Sequence, residues 1–299
     1  MTVEKRKNNS AVYRTTGAMA NALGNFGIEA TEDPIMDYLM YFRAWAQSGD
    51  KSEEFRMTHD LDCILMYGDL HADTIFSFWM PFKMYLQAAF PQRFRFGFRG
   101  TPAKRTADLD ELIKILPQLL DNELGLKMYK FASLSQSRGN VMLIPDRKMQ
   151  SRGSYWYDQM PIMLHECFIG SFKHYFSNIS LSQWIKDECL EVFFNGSVSE
   201  HTIKSLGPIT PDKHYWCETV EEVDAMLGAY IDILSLRRKL LNDDYIDSAA
   251  PLTEKILNEP TTYEIFKKNL NTRYENYDNI RHVETFKAKV ANTIAVFQI

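Results

Sequence analysis

Apolar residues recur at helical spacing over Ile35, Leu39, Phe42 and Trp45, with Asp33 placed to cap that helix and Pro34 at its first position, where no N–H is needed. Cys63 to Tyr67 is a short apolar run that reads either as a buried strand or as a helix start. Thr74 to Phe90 is aromatic-rich and predicts a buried helix, kinked or restarted at Pro81. The clearest period-two stretch is Arg93 to Arg99, where Phe94, Phe96 and Phe98 alternate with arginines; it predicts a strand. Asp108 opens an amphipathic pattern through Leu109, Leu112, Leu116 and Leu120, kinked at Pro117, and 123–134 reads as helix again. Ser135 to Tyr157 predicts a polar loop or short hairpin, with Val141 to Ile144 as a candidate strand.

Further on, Met160 to Phe176 predicts one buried helix, and Ser180 to Phe194 another, with a Ser180/Gln183 capping box and an Asn195-Gly196 stop. Thr219 to Leu241 carries the fullest signature: a Thr219/Glu222 capping box, then Val220, Val223, Leu227, Tyr230, Leu234 and Leu241 along one stripe. Patterns over 252–270 and 272–296 complete a helical C-terminal third. The expected fold is α+β, predominantly α-helical, with a small β-sheet holding 93–99 and 141–144. Residues 1–30 read as a loosely held arm and 31–299 as one domain, with a possible subdivision at 207–211.

Composition sharpens this picture at three points. Apolar residues are 45% and aromatic ones 13% of 299 residues, enough to build a substantial core and to exclude a disordered chain. The four cysteines lie far apart without a CxxC pair, so reduced thiols and a cytoplasmic setting are expected. The N-terminus lacks the apolar stretch of a signal peptide, and Thr74 to Phe90 is too short and too polar to cross a bilayer, so no membrane partner is expected. Net charge is −5, which disfavours a general nucleic-acid coat, yet that charge is unevenly spread.

From Thr74 to Ala107 there is no acidic residue, whereas Lys83, Arg93, Arg95, Arg99, Lys104 and Arg105 are all cationic. Guanidinium forks beside aromatic rings suit a phosphate-bearing ligand, the phosphate held bidentately and a base stacked; a solvated strand face is the plainer alternative. Ser137-Arg138-Gly139-Asn140, followed by Pro145-Asp146-Arg147 and Arg152-Gly153, offers two glycines and three arginines in one loop, the ingredients of a backbone nest for an anion. No Walker sequence is present, and a turn-rich hairpin accounts for the same residues. The ligand-binding candidates are therefore Arg93, Arg95, Arg99, Arg138, Asn140, Arg147 and Arg152.

Acid and imidazole concentrate at His59, Asp62, Asp69, His71 and Asp73, a weak metal-ligand set. Gly68-Asp69-Leu70-His71 resembles the opening block of calcineurin-like metallophosphoesterases. The later Gly-Asp-x-x-Asp, Gly-Asn-His and Gly-His-x-His blocks have no counterpart, and His59-Asp60 lacks the rest of an HD phosphohydrolase set. Helix capping by Asp69 and Asp73 is the alternative. His165-Glu166-Cys167 brings imidazole and thiol close in sequence, but positions i and i+2 of a helix diverge, and no Gly-x-Ser-x-Gly elbow exists.

Two blocks, Gly68-Asp69-Leu70-His71-Ala72-Asp73-Thr74 with Phe78-Trp79-Met80-Pro81-Phe82-Lys83, and Ser137-Arg138-Gly139-Asn140-Val141-Met142 with Pro145-Asp146-Arg147, resemble a family of uncharacterised bacterial proteins from Gram-positive genomes and their mobile elements. His174-Tyr175-Phe176 extends the likeness, which spans about 60–240. It implies a helix-rich intracellular protein and carries over no catalytic residue or cofactor. The leading expectation is thus recognition of a nucleotide or nucleic acid through clustered arginines. The alternatives are a metal-dependent phosphoester hydrolase and a helical interaction or assembly protein, the stripe at 219–241 pairing with a partner or a second copy.

Overall fold

A computed structural model of the chain describes residues 23, 26–31, 33–48, 72–94, 102–145, 149, 159–198, 202–213 and 215–241, the side chains of 45, 48, 72, 102–106 and 138 excepted. Of the described residues 64% are helical, and a two-stranded antiparallel sheet completes an α+β fold that is mainly α.

Helix α1 spans Pro34–Ser48. Its start is set locally, since an Asp33 carboxylate oxygen accepts from the Ile35 and Met36 N–H groups at 3.0 and 2.9 Å. Strand β1, Ala72–Thr74, pairs with β2, Val141–Leu143, in the register Ala72↔Leu143, Asp73↔Met142 and Thr74↔Val141. The strand expected at 141–144 is therefore present. Of the strand expected at 93–99, the described residues Arg93 and Phe94 turn back on the end of the preceding helix, both donating to Phe90 O, at 3.0 and 3.1 Å. Residues 95–99 lie outside the described residues.

Helix α2, Trp79–Ala89, starts five residues later than the apolar run from Thr74, because Thr74 is still in the strand and Pro81 falls in the first turn, where proline is tolerated. Helix α3 runs over Pro102–Leu119, beginning before Asp108 and passing through Pro117, and α4 over Glu123–Ser135, capped by Asn122, whose side chain accepts from Gly125 N at 2.8 Å. The helix expected over 160–176 divides in two: α5 is Met160–Ile169, and Gly170 leads into a 3-10 turn over Ser171–Phe176. Glu166 causes the break by reaching past the helix end to accept from Ser171 N at 2.7 Å. Helix α6, Leu181–Asp187, is likewise short, followed by a 3-10 turn at Leu190–Phe193. Ser180 accepts from Gln183 N at 3.3 Å, but Gln183 bonds Asp187 instead of completing the box.

Helix α7, Val220–Leu240, has both halves of its capping box and buries Val223, Leu227, Tyr230 and Leu234 of the expected stripe, whereas Val220 at its start is exposed and Leu241 just past its end is half-buried. It is the central element, lying against α2, α4 and the turn before β2. Phe76 stacks on Tyr230 at 3.8 Å between ring centroids and meets Phe193 edge-on, so sheet, helix and 3-10 turn share one aromatic centre. Gly207, at φ +61°, opens the two-residue turn between Leu206 and Ile209, and a Cβ there would meet the α7 backbone at Met226 N at 2.8 Å. In the N-terminal arm, Leu23 is fully buried and Phe26 packs edge-on against Tyr41.

Candidate functional site

The Arg138–Asn140 segment forms a 3-10 turn between α4 and β2. Asn140 is fully buried. Its Oδ1 accepts from Phe76 N at 2.8 Å, and its Nδ2 donates to Phe76 O at 2.7 Å and Ser135 O at 2.8 Å. The Asn140 carbonyl accepts from Ile75 N at 2.7 Å. Asn140 was expected to face a ligand; buried and committed to main chain, it builds the turn instead. Only a side-chain amide offers donor and acceptor together to mimic a strand partner in this way.

Gly139 is held from the other side. The Arg237 guanidinium, wholly buried in the last turn of α7, donates to Gly139 O at 2.6 Å and to Glu188 O at 2.8 Å. It also pairs with the Glu188 carboxylate at 3.6 Å, and that carboxylate accepts from Leu143 N in β2 at 2.9 Å. Glu188 turns inward because Cys189, in the left-handed region at φ 51°, ends α6 there. Trp184 of α6 donates to Leu143 O at 2.6 Å, so β2 is tied to this corner on both its N–H and C=O sides. A Cβ on Gly139 would run into the Arg238 side-chain stem and sit 3.1 Å from Leu234 O, so glycine lets α7 approach the turn.

Arg237 and Glu188 are the residues that the sequence reading passed over. The available signal was register: Arg237 falls three residues after Leu234 on the buried stripe of α7, a position that otherwise takes an apolar side chain. A charge there implies a buried partner.

Of the expected ligand contacts, Arg138 sits in the turn just described, and Arg93 is exposed in the turn after α2. Arg95, Arg99, Arg147 and Arg152 lie outside the described residues, as do His59, Asp62, Asp69 and His71. Asp73 is in β1, buried, with Oδ1 accepting from Thr74 N at 2.8 Å. Among the described residues no three His, Cys, Asp or Glu side chains converge as metal ligands, and no helix is long and apolar enough to cross a membrane. Cys167 is buried, and Glu166 Oε2 accepts from Ser171 N and Oγ at 2.7 and 2.9 Å. Comparison with protein-family models, curated proteins and solved structures finds no match.

The arrangement offers a rigid, main-chain-rich turn carrying one arginine, seated on the strand that opens the acid-free stretch. Thr74 to Phe76, the first residues of that stretch, bond directly to 140–141. The two segments singled out for their arginines are therefore neighbours where they begin.

Proposed function

We propose that this chain binds a phosphate-bearing ligand, a nucleotide or nucleic acid, in a reducing cytoplasm, through arginines grouped around the Arg138 turn. The observation that supports the reading is the contact between Asn140 and Phe76: it joins the Arg-Gly loop to the acid-free stretch that leads to Arg93, Arg95 and Arg99. A turn locked by buried bonds is preorganised, so little ordering free energy is lost when a ligand engages it. Arg147 and Arg152 follow β2 in sequence and complete the proposed set with Arg138.

The test is titration of the full chain with ATP and with short single-stranded oligonucleotides from about 50 to 200 mM salt. Binding that weakens with salt, and weakens further in Arg138→Gln, is expected. Affinity that is absent, or flat across the salt series, removes the reading.

A second reading, a helical interaction or assembly protein, draws on exposed apolar side chains. Leu236 and Leu240, one turn apart on α7, are 44% and 51% exposed, and Ile169 at the end of α5 is 68% exposed. Light scattering of the purified chain distinguishes it: a concentration-independent monomer excludes self-assembly.

A further inference from the structure

We infer that Arg237 and Glu188 are positioning residues for the proposed site, fixing the main chain of the Arg138–Asn140 turn from which Arg138 would engage a phosphate. The inference rests on the phosphate-binding reading above and adds to it the element that preorganises the site.

Stability alone is a poor explanation for this pair. A buried ion pair is costly to desolvate, and apolar residues of similar volume in its place are often neutral or stabilising. What apolar residues cannot do is tie three separate segments at once. The Arg237 guanidinium donates in two directions, to Gly139 O in the turn and to Glu188 O after α6, and faces the Glu188 carboxylate as well. That carboxylate in turn accepts from Leu143 N, so the residues on both sides of the turn and strand are fixed by one charge pair. Lysine has a single nitrogen and lacks the planar fork needed to span these acceptors. Arg237 is wholly buried and so does not touch the ligand itself; it acts through Gly139, the residue next to Arg138. The Arg238 stem fills the space that a Gly139 side chain would need.

The test is the double variant Arg237→Met/Glu188→Leu in the full chain. One cation and one anion leave together, so the net charge stays −5 and long-range attraction for a polyanion is unaltered. The probe is a short single-stranded DNA oligonucleotide. The expected result is a single cooperative unfolding transition, at a lowered midpoint because Gly139 O, Glu188 O and Leu143 N lose their partners, with, at a temperature where the variant is fully folded, at least a tenfold loss of affinity and a salt slope shallower by about 0.7, the signature of one lost phosphate contact. A merely structural pair would leave that slope alone. If the parent binds and the variant binds equally, with the same slope, the positioning role is overturned while the binding reading stands; a parent that does not bind at all removes the binding reading itself. Should the double variant fail to fold, Gly139→Ala asks the same question with every charge kept. It pushes the turn off Arg238 and Leu234, and the same loss of affinity and slope is expected; unchanged binding overturns the inference.

Discussion

The side-chain amide of Asn140 pairs with Phe76 as a strand would, accepting from its N–H at 2.8 Å and donating to its carbonyl at 2.7 Å across 64 residues of sequence. Ser135 O takes the remaining amide hydrogen at 2.8 Å. Asn140→Ala strands one buried donor and two buried acceptors, each worth about 1–3 kcal/mol when left unsatisfied, so a loss of about 3–9 kcal/mol is expected. That is a large share of the roughly 5–15 kcal/mol that holds a domain together. Asn140→Asp should be comparably harmful, since an ionised carboxylate has nothing to donate to Phe76 O or Ser135 O. Urea denaturation of both variants checks this; a loss under about 1 kcal/mol for either would contradict the assigned bonding.

The elements that were legible in sequence are those closed by local bonds. Asp33 with Pro34, and Thr219 with Glu222, are recognisable because cap and capped N–H groups lie within three residues. The α7 stripe is legible for a related reason, being a single face of one helix. The break at Gly170 was not legible, because 160–176 is apolar enough to be helical throughout and only the reach of Glu166 to Ser171 ends it. At Arg93 and Phe94 alternation suggested a strand, whereas both N–H groups are drawn back to Phe90 O. The polar centre was hidden for a different reason. Asn140 reads as a loop residue, and neither it nor Arg237 reveals its partner, 64 and 98 residues away in sequence, until the chain is folded.

Alkaline pH should unfold the protein through its buried phenols and one thiol. Tyr38 is half-buried as a residue, but its ring stacks on Phe78 and its hydroxyl turns inward to Ser135 Oγ at 3.0 Å. Loss of water pushes its pKa up from 10.0 to about 12, the Ser135 bond opposing the rise. Tyr85 is raised by burial too, offset by Asn122. A group whose acidity is weakened by folding supports the native state fully below its unfolded pKa and withdraws that support as pH climbs through the folded value. Stability is therefore expected to hold to about pH 9, above which the unfolded thiol ionises, and to fall more steeply from about pH 10 towards pH 12 as the phenols follow. Tyr38→Phe should flatten that decline. Phenolate absorbance followed together with circular dichroism is the check; tyrosines that all titrate near 10 in the folded state would refute it.

Cys217 should be chemically silent in the native protein. Burial among apolar side chains, then the nearby Glu222 charge, push its thiol from 9.0 up to about 12, and Sγ rests 3.7 Å from Met226 Sδ. Since the thiolate is the nucleophile, alkylation at pH 8 needs prior unfolding. Mass spectrometry after iodoacetamide treatment should find Cys217 unmodified in the folded chain and modified in urea. Rapid native labelling would show that the segment before α7 opens on its own.

The start of α7 sets the opposite pH limit. Thr219 Oγ1 accepts from Glu222 N at 3.2 Å, and Glu222 Oε2 accepts from Glu218 N at 2.9 Å and Thr219 N at 3.3 Å. Tyr215 adds its hydroxyl to Glu222 Oε1 at 2.6 Å, and that bond is the main reason the Glu222 carboxyl is held below its ordinary value of 4.5. A carboxylate favoured by folding contributes fully above its unfolded pKa, and the contribution is lost as pH falls through the lower native value. Acid should thus loosen this end of α7 only below the ordinary glutamate range. Tyr215→Phe should raise the Glu222 titration midpoint towards that range, read by carboxyl carbon chemical shift. Thr219→Ala removes the other half of the box and should cost about 0.5–2 kcal/mol at neutral pH. If Tyr215→Phe leaves the Glu222 midpoint where it was, the tyrosine bond is not what depresses it, and the backbone N–H groups of Glu218 and Thr219 carry the whole effect.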